Sequence, residues 1–370
     1  MSNLTVQLIT SFLDVQKEYQ SRWNELAGEN PLLRWEWLGT WAMHCARSKP
    51  LMILVVRDGD QIIGFTPWYV ERKRLMGRTI CFLGEGRVST DHLSVLCEPG
   101  RENEVAERVA EWLVDSAQNP KSFKYKWNHI EFTGVYFEDP MMTTLKDSLS
   151  QRGCSVDQRE GLSCYGIDLP ATFDEYVARR SRPGRRECRQ LLKRLDSGDV
   201  EIVKIETQAQ LKNMWYDFVD LHNIRRGQTG DEGCFREPGF GEFLWDASTQ
   251  LLDAGLLRLY FVVVDELSIA AHFAIASSDR WLYYQTGMNS NYAQLKPGKL
   301  LMVKAIQDSI NEGKSYFDMM RGAESYKRSW RGEQKSQMEI RIAKPKSTAM
   351  LQQRIWQFGK TIRLWAQSSQ

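Results

Sequence analysis

The chain has 370 residues, room for two domains at about 150 residues each, and 42% of them are hydrophobic, enough to bury a core. Its 49 Lys and Arg face 47 Asp and Glu, a balance that excludes a wholly basic nucleic-acid binder and an acidic disordered chain. Cys45, Cys81, Cys97, Cys154, Cys164, Cys188 and Cys234 are odd in number and scattered, with no Cys-x-x-Cys, which argues against a disulfide framework or a zinc site and fits a reducing cytoplasm.

The start, MSNLTVQLITSFLDV, lacks the positive run and long apolar stretch of a signal peptide. No run of 18 apolar residues marks a membrane span. Leu4–Thr10 alternates like a strand, and Phe12–Leu26 and Leu32–Arg47 have helical spacing, the second opened by Pro31. Leu51–Asp58 and Gln61–Val70 read as strands across a Gly59-Asp60 turn. Arg78–Leu83 and His92–Leu96 read as strands around a loop holding Gly84, Gly86 and Asp91. Glu102–Ala117 is a helix, Trp127–Phe132 a strand, Met141–Gln151 a helix, and Ser163–Leu169 a strand that closes the first half.

The order then repeats. Val200–Ile205 is a strand; Ala209–Arg225 and Phe240–Ala254 are helices joined by GQTGDEGCF. Leu257–Asp265 and Ser268–Ser277 pair as strands, Trp281–Met288 is a third, Lys299–Asn311 a helix, and Ser315–Met320 and Gln337–Ala343 the last strands. VVRDGDQIIGFTPW (55–68) and VVVDELSIAAHFAI (262–275) align locally, consistent with a duplicated α/β unit. The expected domains are 1–169, a basic helical linker 170–199, 200–346, and an amphipathic helix 347–370. The linker packs eight basic residues between Arg179 and Arg194 against Glu187 alone, either a solvated helix face or a cationic rim for phosphate, nucleotide or RNA. The tail sets Leu351, Ile355, Trp356, Ile362 and Trp365 on one stripe beside basic residues, a face for docking or for peripheral membrane association.

In LKPGKLLMVKAI, Pro297 and Gly298 open a helix directly after a strand. Its free N–H groups and dipole favour an anion such as a pyrophosphate, with Lys296 and Lys299 adding charge and Leu300 following. His222, at a helix end before a glycine loop, is a candidate base, and His272 lies inside a strand. The segment FDMMRGAESYKRSWRG (317–332) sets Tyr326 and Trp330 among Arg321, Lys327, Arg328 and Arg331. Asp91-His92 after GEGRVST reads as a site loop in the first half.

Three stretches carry a resemblance: YAQLKPGKLL (292–301), GKSYFDMMRG (313–322) and YKRSW (326–330). Together they resemble the Gcn5-related N-acetyltransferases, in the subgroup of cellulose-biosynthesis-associated or biotin-synthesis-like acetyltransferase domains. The tandem order is similar to the Fem-type aminoacyltransferases. The resemblance implies a tandem acyltransferase fold with mixed, mainly antiparallel sheets flanked by helices, the first half being a degenerate leading domain. It also implies that the strands at 281–288 and 315–320 splay apart around a donor. Asp318 and Arg321 then stand at the mouth of that opening, Tyr326 follows, Tyr284 and Gln285 line the other strand, and Lys327 meets substrate phosphate. Two departures stand out. Lys296 occupies the place of a small hydroxyl residue, and Gly298 is alone where the pyrophosphate loop has several glycines.

Acyl transfer needs positioning, oxyanion stabilisation and proton removal, but no covalent nucleophile. The absence of a Gly-x-Ser-x-Gly motif is consistent with that. The expectation is therefore a cytoplasmic, metal-free acyltransferase moving acetyl from acetyl-CoA, or another acyl-CoA, to an amine or hydroxyl of a sugar-derived, exopolysaccharide or cell-envelope precursor. Two alternatives stay open: a Fem-like aminoacyltransferase using aminoacyl-tRNA, and a non-catalytic module that binds a nucleotide-sugar or a protein.

Overall fold

The computed structural model describes residues 4–74, 76–118, 126–228, 230 and 233–345. The expected helix at 347–370 lies outside the described residues. The first strand, β1 (Leu4–Ile9), leads to α1 (Phe12–Asp14), a π turn, α2 (Gln20–Ala27) and α3 (Trp35–Cys45). Next come β2 (Ile53–Asp58), β3 (Gln61–Phe65), β4 (Trp68–Lys73), β5 (Gly77–Phe82), β6 (Leu96–Cys97), α4 (Glu102–Gln118), β7 (His129–Tyr136), α5 (Pro140–Gln151) and β8 (Ser155–Glu160). Beyond lie β9 (Cys164–Asp168), α6 (Phe173–Arg179), α7 (Arg182–Asp196), β10 (Glu201–Lys204), α8 (Gln208–Gln228), α9 (Phe240–Asp253), β11 (Leu257–Val264) and β12 (Leu267–Ala276). The last elements are β13 (Arg280–Met288), α10 (Pro297–Asn311), β14 (Tyr316–Arg321), α11 (Ser325–Ser329), β15 (Glu333–Lys335) and β16 (Gln337–Ala343).

The chain divides into two compact units: residues 1–28, 32–161 and those from 337 onward, and residues 29–31 with 162–336. Both are mixed α/β, with mainly antiparallel sheets flanked by helices. Unit 1 holds a four-stranded sheet, β1-β2-β3-β6, and a five-stranded sheet, β4-β5-β7-β16-β8. Unit 2 holds one sheet of seven strands, β10-β11-β12-β13-β14-β9-β15.

Local chemistry explains the elements. Asp139 caps α5 by accepting from the Met142 N–H, with Pro140 in the first turn. Thr172 and Ser181 do the same for α6 and α7. The β11–β12 hairpin turns through Asp265 and Glu266, both left-handed. The stretch 61–70 is not one strand. Thr66-Pro67 breaks it, and the Thr66 hydroxyl accepts the Leu54 N–H in place of a ladder carbonyl. Of the expected strand 92–96, only Leu96 enters β6.

Tryptophans fill unit 1's core, where Trp23, Trp35, Trp37 and Trp68 are fully buried. In unit 2, α10 lays Leu300, Met302, Val303 and Ile306 on Tyr260, Val262, Trp281 and Phe317 of the sheet. Each such side chain contributes about 1.5–3 kcal/mol on burial. The α6–α7 segment belongs to the same core through Tyr176, Cys188 and Leu191. Packing on the other face depends on Gly287. A Cβ there would meet the His222 nitrogen at 2.5 Å, so α8 lies directly on β13.

Candidate functional site

The central strands of unit 2 separate. β13 and β14 pair in parallel at Arg280–Tyr316, Trp281–Phe317 and Leu282–Asp318, and the pairing then stops. Each strand carries an irregularity near that point. β13 matches Phe273 with Gln285 and Ala274 with Tyr283, so Tyr284 is an extra residue on its strand. β14 shifts register against β9 between Asp318 and Arg321, where Met320 is left-handed at φ 59°. Bulges bend the strands that carry them.

Two of the sequence candidates hold the second bend. The buried Asp318 carboxylate accepts the Met320 N–H at 2.6 Å. Lys327, only 2% exposed, donates to the carbonyls of Met320 (3.0 Å), Arg321 (2.6 Å) and Gly322 (3.1 Å) and pairs with Glu324 at 3.0 Å. Its ammonium is spent on its own chain. The geometry supports a strut at this bend and not an encounter with substrate phosphate.

Beside β13, past the point where its pairing with β14 stops, lies a cleft of about 330 Å³ whose far wall comes from α11. Its apolar walls are Tyr283 and Met288 of β13, Leu301 and Met302 of α10, and Trp330 after α11. Its cations are Arg225, Lys296 and Lys299. Lys296, Pro297, Gly298 and Lys299 bring the start of α10 into the cleft wall. Lys296 is the N-cap in the left-handed region, and no side chain caps this helix end. Pro297 has no N–H and the Lys299 and Leu300 amides bond the Lys296 carbonyl, which leaves the Gly298 N–H as the first-turn donor beside the two lysines. Lys299 Nζ bonds Glu187 at 2.5 Å, and Lys296 Nζ lies 3.8 Å from the same oxygen. Burial pushes the Glu187 carboxyl up, but the Lys299 bond and charge outweigh it and hold it below its ordinary value.

Tyr326, from α11, reaches the cleft with 38% of its surface exposed. Burial, and then the charge of Glu324, push its hydroxyl up to about 12, with Arg225 acting in the opposite sense. Tyr283 stacks on His272 with ring centroids 3.8 Å apart. His272 is wholly buried, and neither ring nitrogen has a hydrogen-bond partner. Burial drives it down to about 3, so it stays neutral. His222, also buried, has Nε2 3.7 Å from Cys234 Sγ, and Gln285 Nε2 reaches the same sulfur at 3.7 Å.

Lys296, Gly298, Lys299 and Tyr326 of the sequence candidates therefore line the cleft. Leu300 is wholly buried in the core behind it. Asp318, Lys327, His222, Arg321, Tyr284 and Gln285 are not among the lining residues. Sequence reasoning missed Arg225, Tyr283, Met288 and Met302, which helical and strand periodicity marks only as ordinary face residues.

Residues 182–328 match the family described as an acetyltransferase (GNAT) domain. No curated protein sequence matches the chain. Among solved structures, the chain is similar to the crystal structure of FemX, with TM-score 0.63 and 10% identity over 90% of this chain and 96% of that one. It is also similar to a conserved protein of unknown function from Bacteroides thetaiotaomicron, with TM-score 0.52 and 13% identity over 92% and 100% of the two chains. A tandem GNAT protein from the clavulanic acid biosynthesis pathway aligns at TM-score 0.48 and 12% identity, over 92% and 98%. The first two likenesses show a shared fold.

Proposed function

We propose, from the match of residues 182–328 to an acetyltransferase (GNAT) domain family and the fold shared with FemX, that this protein is an acyltransferase using acyl-CoA. The observation that carries this reading is the end of β13–β14 pairing after Leu282 and Asp318, which opens a cleft onto the start of α10. The cleft's composition suits such a donor. The Gly298 N–H at the start of α10, with Lys296 and Lys299, favours phosphate oxygens. Tyr283, Met288, Met302 and Trp330 favour the apolar arm and acyl group.

The chain's own residues then divide the work. The diverging strands hold the thioester in place for attack by an amine or hydroxyl. As the C–S bond breaks, the departing sulfur needs a proton. Tyr326, protonated at neutral pH, passes its proton to that sulfur and takes up the one the attacking amine or hydroxyl releases, so that no net charge is left on it. Asp318 and Lys327 keep the strand bent. The finer assignments are acetyl as the acyl group and a sugar-derived or cell-envelope precursor as acceptor, and both rest on the sequence resemblance. The seven free cysteines suit a reducing compartment. Among the described residues, no helix is long and apolar enough to cross a membrane.

Calorimetric titration with acetyl-CoA and with CoA tests the donor. The expected result is one site per chain, weakened roughly tenfold by replacing Lys296 and Lys299 together with Ala. No binding at millimolar ligand would discard the reading.

A further inference from the structure

The basic run that joins the two halves has one member that does not face water. Arg180, between α6 and α7, is 4% exposed. Its guanidinium lies 4.0 Å from the centre of the Trp330 ring. Nη2 donates to the Ser329 carbonyl at 3.2 Å, and Nη1 reaches Cys188 Sγ at 3.3 Å. Nε has no partner, and no carboxylate is ion-paired with it among the described residues. Glu187, which feels its charge, is bonded to Lys299 instead. Next to Arg180, the Tyr176 hydroxyl donates to the Trp330 carbonyl at 2.9 Å. Ser329 and Trp330 both line the cleft.

Burying a cation costs several kcal/mol, and the nearby Glu187 charge is already bonded to Lys299. A carbonyl, a thiol and an aromatic face return only part of that. A lysine would lack the planar fork that stacks on the indole and still reaches the carbonyl. The charge is therefore kept for what it holds, and what it holds is one wall of the cleft.

We infer that Arg180 is a positioning residue for this cleft. It clamps Ser329 and Trp330, and through the short α11 it fixes Tyr326, so that the wall opposite β13 keeps its distance. This rests on the reading of the cleft as the acyl-donor site. The linker is then part of the site and not merely a tether between halves.

Arg180→Met and Arg180→Lys test this in two measurements. The first is amide hydrogen exchange without ligand. In Arg180→Met, residues 325–332 are expected to exchange at least tenfold faster, while 300–310 in α10 keep their protection; Arg180→Lys recovers part of the loss. Unchanged protection at 325–332, or equal loss across unit 2, overturns the inference. The second is calorimetric titration with CoA, where Arg180→Met is expected to weaken binding roughly tenfold and Arg180→Lys less. Equal affinity in wild type and Arg180→Met also overturns it. If the wild type binds no CoA, the donor reading falls, while the exchange result still decides whether Arg180 holds the wall.

Discussion

The two units contain the same opening and treat it in opposite ways. In unit 1, β5 and β7 pair in parallel at only two positions, Thr79–His129 and Ile80–Ile130. Beyond them the chain from Phe82 to Glu102 turns back along the free side of β7. Glu85 accepts the Thr133 N–H at 3.2 Å, and the Leu93 N–H donates to the Gly134 carbonyl at 2.9 Å. Buried Asp91 of the same loop accepts from Gln337 at 3.0 Å, and Trp37 donates to the Thr90 hydroxyl. In unit 2 the connection from Met288 to Pro297 is short, and the space beside β13 past its last pair with β14 is a cleft. Backbone groups at a strand divergence need partners. Unit 1 supplies them from its own loop on the side facing the gap. Unit 2 gives the carbonyls of 320–322 to Lys327 and leaves the gap open to a ligand.

The largest expected effect comes from removing that internal partner. Lys327→Met removes a partner from three carbonyls at a left-handed bend and should cost unit 2 about 3 kcal/mol. Urea denaturation reads the loss, and CoA binding should disappear with it. A variant as stable as wild type breaks the claim that the cleft is held open from within. Gly287→Ala comes next. Its Cβ would press on the backbone of Leu221 and His222, which cannot yield as a side-chain tip does. The expected cost is about 2–3 kcal/mol, again by urea denaturation.

Lys296→Ala or Lys299→Ala alone should leave stability within about 0.5 kcal/mol, because both lysines are half in solvent. Each should weaken CoA binding several-fold at low salt, with the difference shrinking as salt rises. Calorimetry at two ionic strengths checks it.

The smallest effect sharpens the other side of the comparison. Burial pushes the Glu85 carboxyl up to about 8, against the pull of Lys73. A carboxyl whose folded value is raised favours the folded state while it is protonated. That contribution is present below about pH 4.5 and is lost as pH rises through 8. Glu85→Gln should therefore remove a decline in stability between pH 5 and pH 8.5. Parallel pH dependence in wild type and variant would show that Glu85 is not a buried part of the plug.

Much of this fold was legible because alternation and helical spacing are local. The hairpin at 265–266 and the helix opened by Pro297 follow from a few adjacent residues. Partner choice is not local. Nothing in CYGID says that β9 pairs with β14 and β15, or that β16 joins β7 and β8. The site was legible in the same uneven way. Lys296, Gly298, Lys299 and Tyr326 line the cleft because a helix start and an aromatic beside a strand end are sequence-local signals. Lys327 and Asp318 carry charge in a conspicuous segment, yet both charges are used on nearby backbone. A sequence shows which cations exist, but not whether carbonyls five to seven residues away have already claimed them. Arg180 looks like any other arginine of its run until its burial is seen.

β16 sits between β7 and β8 in the five-stranded sheet, yet it is made after every residue of unit 2. During synthesis on the ribosome, residues 1–161 emerge with two unsatisfied strand edges facing a missing neighbour. They must wait while the next 175 or so residues are added and unit 2 folds. A released chain ending at Ser336 would carry a complete second unit on a first one lacking its β16 strand. The order of translation thus completes the sequence of the unit with the open cleft before that of the other.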